Sequence, residues 1–204
     1  MLRAIISTLE NKPFLGALSI AISVLAYSIY IRDTVKKEGI RPHPFSWLLW
    51  GFVTTVAAFA QHAKGAGSGL WVTAFTAAIC FLIGMLTLSR NDWQFSSSDW
   101  YALILGVAAT VLYALARNPT AAAILATVAD VVGYNPTIKK GWIDPSTENA
   151  TSFLLNSLKF IPALGALHAY SIATWLYPAT LVVVNGAVCV MLVCRRRQLG
   201  KAHL

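Results

Sequence analysis

Two ionisable residues of opposite sign interrupt apolar runs in this sequence. Asp130 lies within "ATVADVVGYNPTIKKGWIDP" (126–145) and Lys159 within "TSFLLNSLKFIPALGALHA" (151–169). A charge at the centre of a bilayer costs about 2.5–3.5 kcal/mol on insertion scales, so neither side chain is expected to face lipid alone. Two roles fit the pair: a mutual ion pair that locks two helices, or charged groups of a cavity that bind a solute or couple to protons. Other polar groups occur at similar depth. Asn156 precedes Lys159 by less than one helical turn, Asn185 lies well inside the last apolar run, and Trp50 lies in an earlier one. An aromatic face opposite an amide suits a polar ring, combining stacking with hydrogen bonds. The alternative for Trp50 is a lipid-facing or interfacial position, and Trp47 is expected to be an interfacial anchor.

Enzyme chemistry is not signalled. The chain has no GxSxG elbow, HExxH, P-loop or clustered Cys/His ligands. Cys80, Cys189 and Cys194 form no CxxC pair and read as small packing residues, so neither a metal nor a cofactor is expected. "GAGSG" (65–69) has no strand–helix context and reads as a turn.

The elements that hold these residues are set by composition. Of 204 residues, 57% are hydrophobic and 12% charged, and mean hydropathy is +0.63. A soluble domain carries about 25% charged residues, so this surface is too poor in charge for water. An all-α integral membrane protein is the expectation. The net charge of +8 comes from short clusters between apolar runs rather than one amphipathic face, which points to topology signals and anionic lipid instead of nucleic acid. No cleaved signal peptide is read in "MLRAIISTLENKPF".

Cutting the chain at charged and Gly/Pro-rich breaks predicts seven spans, near 14–31, 44–62, 69–88, 99–116, 119–138, 151–169 and 172–194. Eleven of the sixteen Lys and Arg then fall on one side and four on the other. The excess places the N-terminus outside and the basic C-terminal tail in the cytoplasm.

An internal repeat underlies the spans. "YSIYIRDTVKKEGIRPHPFSWLLWGFVTTVAAFAQHA" (27–63) aligns with "YNPTIKKGWIDPSTENATSFLLNSLKFIPALGALHA" (134–169) with one gap. Tyr27 falls on Tyr134, Ser46 on Ser152, Trp50 on Asn156, Ala57 on Ala163, and His62 on His168. Residues 1–88 and 119–204 become two three-helix units, and 89–118 a linker with the fourth span. Parallel repeats of this kind characterise several transporter folds, with the solute between the halves.

The 3+1+3 layout resembles the SWEET and wider PQ-loop (MtN3-like) superfamily, as a divergent bacterial-type member. "GYNPTIKKGW" looks like the second Pro-Gln segment, with Pro136-Thr137 at the Pro-Gln position and Ile29-Tyr30 in the first repeat. "FSWLLW" (45–50) and "TSFLLN" (151–156) resemble the starts of the second helices. The resemblance implies a carrier moving a small, sugar-like or other polar solute by alternating access, in a bacterial inner (plasma) membrane. It places pocket residues on the second helices and an asparagine, here Asn185, on the third. The expected substrate-binding set is Trp50, Asp130, Asn156, Lys159 and Asn185. Pro136, Pro162 and Pro178 are candidate hinges, and Tyr177 with Trp175 a candidate outer gate or aromatic belt. A non-transporting receptor and a proton-coupled vitamin or amino-acid carrier share the layout. Membrane lipid and a small solute are the expected partners, with homo-oligomerisation left open. A retinal protein would need a lysine in the last span, which has none.

Overall fold

In a computed structural model, residues 11–36, 42, 44–88, 97, 100, 101, 104, 107, 108, 111 and 117–201 are described. Among them the chain is all-α. α1 is Lys12–Val35, α2 Pro44–Ala63, α3 Trp71–Leu88, α4 Pro119–Gly133, α5 Asn135–Ile143, α6 Ala150–Leu158, α7 Phe160–Gly165 and α8 Ile172–Lys201. Short 3-10 turns cover Gly67–Leu70 and Pro145–Thr147. The expected fourth span, 99–116, lies mostly outside the described residues; Trp100, Tyr101, Ile104, Val107, Ala108 and Val111 within it are helical.

Local chemistry explains where helices begin. The side chains of Asn11, Asn118 and Asn149 each accept from a backbone N–H three residues on, at 3.1, 3.1 and 2.9 Å. Each thus satisfies one orphan donor of α1, α4 or α6. Pro13 and Pro119 occupy first-turn positions where no N–H is needed.

Helix ends differ from the expected boundaries. α1 continues past residue 31 through Arg32 and Asp33, α5 through Lys139 and Lys140, and α8 through Arg195, Arg196 and Arg197. Hydropathy drops at each charge, but a cation in a last turn meets the negative end of the helix dipole, so the backbone stays helical. The sixth segment ends early, at Gly165, which leaves His168 outside the helix.

Among the described residues, four helices are long and apolar enough to cross a membrane: Lys12–Val35, Gly67–Leu88, Pro119–Ile143 and Ile172–Gly200. α2 has the length, with 20 residues, but polar and aromatic side chains dilute its hydropathy. The segment 150–165 is split at Lys159. There Pro162 lacks the N–H that would bond the Leu158 carbonyl, and its ring crowds that carbonyl. Pro136 stands next to a similar interruption at Tyr134, whereas Pro178 sits inside the unbroken α8.

Within each triad the third helix lies between the other two: α3 packs on α1 and α2, and α8 on α4 and on α6–α7. The triads then meet reciprocally, α1 against α6–α7 and α2 against α4. Burial follows the repeat. Tyr27 and Tyr134 are buried alike, as are Ala57 and Ala163. A register of 105 residues extends the match to the third helices, where Val72, Thr76, Cys80, Ile83 and Thr87 recur as Tyr177, Leu181, Asn185, Val188 and Leu192, all buried.

At the end of the bundle opposite the basic tail, the turn after α2 is shaped by glycine. Gly65 and Gly67 have φ of +72° and +61°, where L side chains are strained. A Cβ on Gly67 would also collide with the His168 ring, whereas one on Gly65 would meet only Ala169 Cβ at 3.9 Å. His168 takes part in this turn through its backbone N–H to Ala66 O (3.0 Å) and its ring to Ser68 Oγ (3.3 Å). Both substitutions to alanine are expected to destabilise the protein, by about 1–3 kcal/mol for backbone strain. Gly67→Ala should be the worse of the two because it adds the collision. Thermal unfolding in detergent checks this; equal losses would mean the His168 contact carries no weight.

Candidate functional site

A small cavity of about 40 Å³ lies between the two triads. A site for one water needs about 10–15 Å³ on this measure, so the cavity holds a few waters and no large solute as it stands. All five residues expected to bind solute, Trp50, Asp130, Asn156, Lys159 and Asn185, line it. Tyr27, Tyr30, Trp47, Thr54, Thr76, Cys80, Tyr134, Phe153 and Tyr177 complete most of the wall.

Lys159 reaches the cavity from the break between α6 and α7. Its Nζ donates to Tyr27 Oη at 2.9 Å, Thr76 Oγ1 at 2.9 Å and Ser23 Oγ at 3.4 Å. Three N–H bonds therefore meet three neutral hydroxyls, two from α1 and one from α3. The Tyr27 and Phe160 rings lie 4.3 and 4.9 Å from Nζ and add cation–π attraction.

Asp130 enters from α4 on the other side. Its Oδ1 accepts from the Tyr177 hydroxyl at 2.8 Å. Tyr177 has only one proton, so it accepts in turn from Thr54 Oγ1 at 2.6 Å. The expected ion pair between Asp130 and Lys159 is not made, unlike the pairs Arg32–Asp33 and Lys140–Glu148 seen among the described residues. Each charge has instead found hydroxyl partners on the opposing triad or on the third helix.

Trp50 is buried, with Nε1 donating to the Asp130 carbonyl oxygen at 3.3 Å and its ring 4.7 Å from that of Tyr134. Gly133 makes the approach feasible, since a Cβ there would sit 2.9 Å from Trp50 Nε1. Trp47, expected as an interfacial anchor, is 6% exposed and stacks edge-on against Trp50 with centroids 5.3 Å apart. The wall is aromatic enough to recruit it. Tyr177 is likewise buried beside the cavity rather than placed in an outer belt, while Trp175, two residues away and on another helical face, is exposed. Asn185 Nδ2 donates to Leu181 O at 2.9 Å within its own helix.

A second polar cluster, unforeseen from the sequence, lies at the basic end. Glu148 is 2% exposed; its Oε1 pairs with Lys140 Nζ at 2.6 Å and its Oε2 accepts from Tyr30 Oη at 3.2 Å. Arg196 donates to the carbonyls of Glu148 (2.6 Å) and Pro145 (3.0 Å), which ties the 144–149 turn to α8. Asn149 Nδ2 donates to Asp33 Oδ2 at 2.5 Å, which ties the same turn to α1. Tyr30 lines the cavity, with its ring 4.9 Å from Trp47. The signal available in the sequence was slight: Glu148 is one of only eight acids, but it falls in a polar loop where acids are usually solvated.

The hydroxyl cage gives a measurable consequence. Hydrogen bonds to a charged group contribute about 1.5–3 kcal/mol. A double-mutant cycle between Lys159→Met and Tyr27→Phe is expected to show coupling in that range, and one between Lys159→Met and Asp130→Asn a smaller value. Detergent unfolding titrations provide both. A larger coupling to Asp130 would restore the ion pair.

Comparison with protein-family models, with curated proteins and with solved structures finds no match to this chain.

Proposed function

We propose that this chain is a seven-span integral membrane carrier of SWEET-like layout, moving a small polar solute by alternating access between two three-helix repeats. The N-terminus would lie outside and the basic tail in the cytoplasm of a bacterial inner membrane. The observation that carries the reading is the cavity between two triads of matching helix order, lined by residues from both and bearing a buried acid, a buried lysine and two buried amides. Supporting it, large apolar side chains such as Leu25, Met85, Val183 and Val190 are 53%, 59%, 69% and 62% exposed, an apolar outer surface suited to lipid. Helices interrupted at Tyr134 and Lys159, both on the cavity wall, are the usual way such folds bring polar groups to a central site.

On this reading Tyr30 with Glu148 closes the cytoplasmic end and Tyr177 with Asp130 the outer end. Closure at both ends at once is an occluded state. It is also what a receptor of the same fold would show, and that is the second reading.

Cys80 provides a test because its thiol lines the cavity while Cys189 and Cys194 can be replaced by serine. In the Cys189→Ser/Cys194→Ser background, Cys80 is expected to react slowly with a small thiol reagent. Glu148→Gln should speed the reaction several-fold by weakening the basic-end closure. Solute counterflow in proteoliposomes then separates the readings: ligand binding without counterflow removes the carrier and leaves the receptor. An unchanged Cys80 rate in the Glu148 variant would remove that closure from the mechanism.

A further inference from the structure

The polar wall of the cavity is incomplete in a specific way. Asp130 Oδ2 and Asn156 Oδ1 are buried and have no hydrogen-bond partner. Their residues are 2% and 8% exposed. Buried acceptors in folded proteins nearly always have a donor, so two orphans on one cavity wall specify what is missing. The missing groups are donors. Lys159, the cation of the same cavity, cannot serve: its three N–H bonds are already directed to Ser23, Tyr27 and Thr76.

Charge narrows the class further. The wall carries one acidic and one basic side chain that form no direct ion pair, so neither has an opposite charge in contact in a low-dielectric interior. A solute with only a cationic group would satisfy Asp130 but add a like charge to the Lys159 cavity. A solute with only an anionic group would do the reverse and leave both orphan acceptors unpaired. A neutral polyol could donate hydrogen bonds but would leave both charges uncompensated. A molecule with one ammonium and one carboxylate meets all three demands and leaves the formal charge of the cavity unchanged. The π faces of Trp50 and Tyr134 beside Asp130 favour an ammonium at that pole.

Resting on the carrier reading, the geometry points to a small zwitterion as the solute, with its ammonium donating to Asp130 Oδ2 and Asn156 Oδ1 and its carboxylate towards Lys159. The cavity's size favours the smallest members of the class, since anything larger requires the triads to part further.

The test is a ranking of four probes on the intact protein at equal millimolar concentration: L-alanine, ethylamine and propionate, which are of similar size, and glucose as the larger neutral polyol. L-Alanine is expected to protect Cys80 from thiol labelling and to raise the unfolding temperature, with the other three weaker by about tenfold or more, a difference of about 1.4 kcal/mol. Asp130→Asn should weaken L-alanine about tenfold or more, and Lys159→Met should shrink its advantage over ethylamine. The wild-type ranking stands alone if either variant fails to fold. Glucose, or either singly charged probe, matching L-alanine would overturn the zwitterion. So would protection by none of the four, which leaves water as the occupant. Counterflow distinguishes this from the carrier: glucose counterflow without L-alanine binding keeps the carrier and removes the zwitterion, while L-alanine binding without counterflow does the opposite.

Discussion

A buried ammonium that no carboxylate touches is the constraint on which this bundle depends. Lys159 belongs to the second triad, yet its hydrogen-bond partners Ser23, Tyr27 and Thr76 all belong to the first. Desolvating such a group costs several kcal/mol unless its protons are satisfied. The contact between α1 and α6–α7 is therefore more than apolar burial, because separating the triads strips the cage from the ammonium. The break at Lys159 belongs to the same arrangement. Pro162 frees a turn of backbone, and the triad contact and cavity lie where the helix is interrupted.

The two halves share a frame but not a chemistry. In the register that aligns Tyr27 with Tyr134, the counterpart of Asp130 is Ser23. In the register that aligns Trp50 with Asn156, the counterpart of Lys159 is Val53, and in that of the third helices the counterpart of Asn185 is Cys80. Ser23 contacts Lys159 across the triad boundary, and Asp130 contacts Trp50 across the same boundary through its carbonyl. Ser23 and its counterpart Asp130 thus both reach across the boundary, but to non-equivalent residues, Lys159 and Trp50, since the counterpart of Lys159 is Val53, three residues after Trp50. The second repeat has acquired both charges, while the first supplies hydroxyls and aromatic faces. A cavity built this way has a cationic and an anionic side, whereas a fully symmetric one would have neither.

Much of this was legible in the sequence because it rests on properties that composition and spacing record. Charge scarcity exposed the apolar helices, and the Tyr27/Tyr134 and Trp50/Asn156 alignment identified residues that share one wall. Mid-run polar residues such as Asp130, Lys159 and Asn185 stood out because burying them unpaired is costly. Partners were harder. Opposite charges on consecutive segments invited an ion pair, but hydroxyls satisfy an ammonium as well as a carboxylate does when three converge, and Ser and Thr carry no signal in an apolar run. Trp47 was misplaced because an aromatic near a helix end has the same sequence signature whether it faces lipid or a cavity, and for the same reason Tyr177 was narrowed no further than gate or belt. Glu148 was missed because a loop acid becomes a buried one only when Lys140, Tyr30 and Arg196 converge on it from three separate helices.

On the carrier reading, the two ends of the cavity are closed by related devices of unequal strength. At each end a tyrosine on the cavity wall donates to one carboxylate: Tyr30 to Glu148 and Tyr177 to Asp130. Parting either contact returns a carboxylate towards water, and its hydration offsets part of the lost hydrogen bonding. The basic-end carboxylate also holds Lys140, whose side chain is 28% exposed and can resolvate in place. Its bond to Tyr30 is the longer of the two, at 3.2 Å against 2.8 Å. The Tyr177 contact is buried throughout and reinforced by Thr54, so breaking it leaves two hydroxyls as well as a carboxylate to be hydrated. On the carrier reading, opening at the basic end costs less than opening at the other. An unloaded cavity would then face the cytoplasm more often, and a bound solute that satisfies Asp130 Oδ2 would leave the Tyr177 contact on Oδ1 intact. On the same reading, the outer closure and the binding site share a carboxylate through different oxygens, which would couple occupancy of the cavity to the state of its outer end.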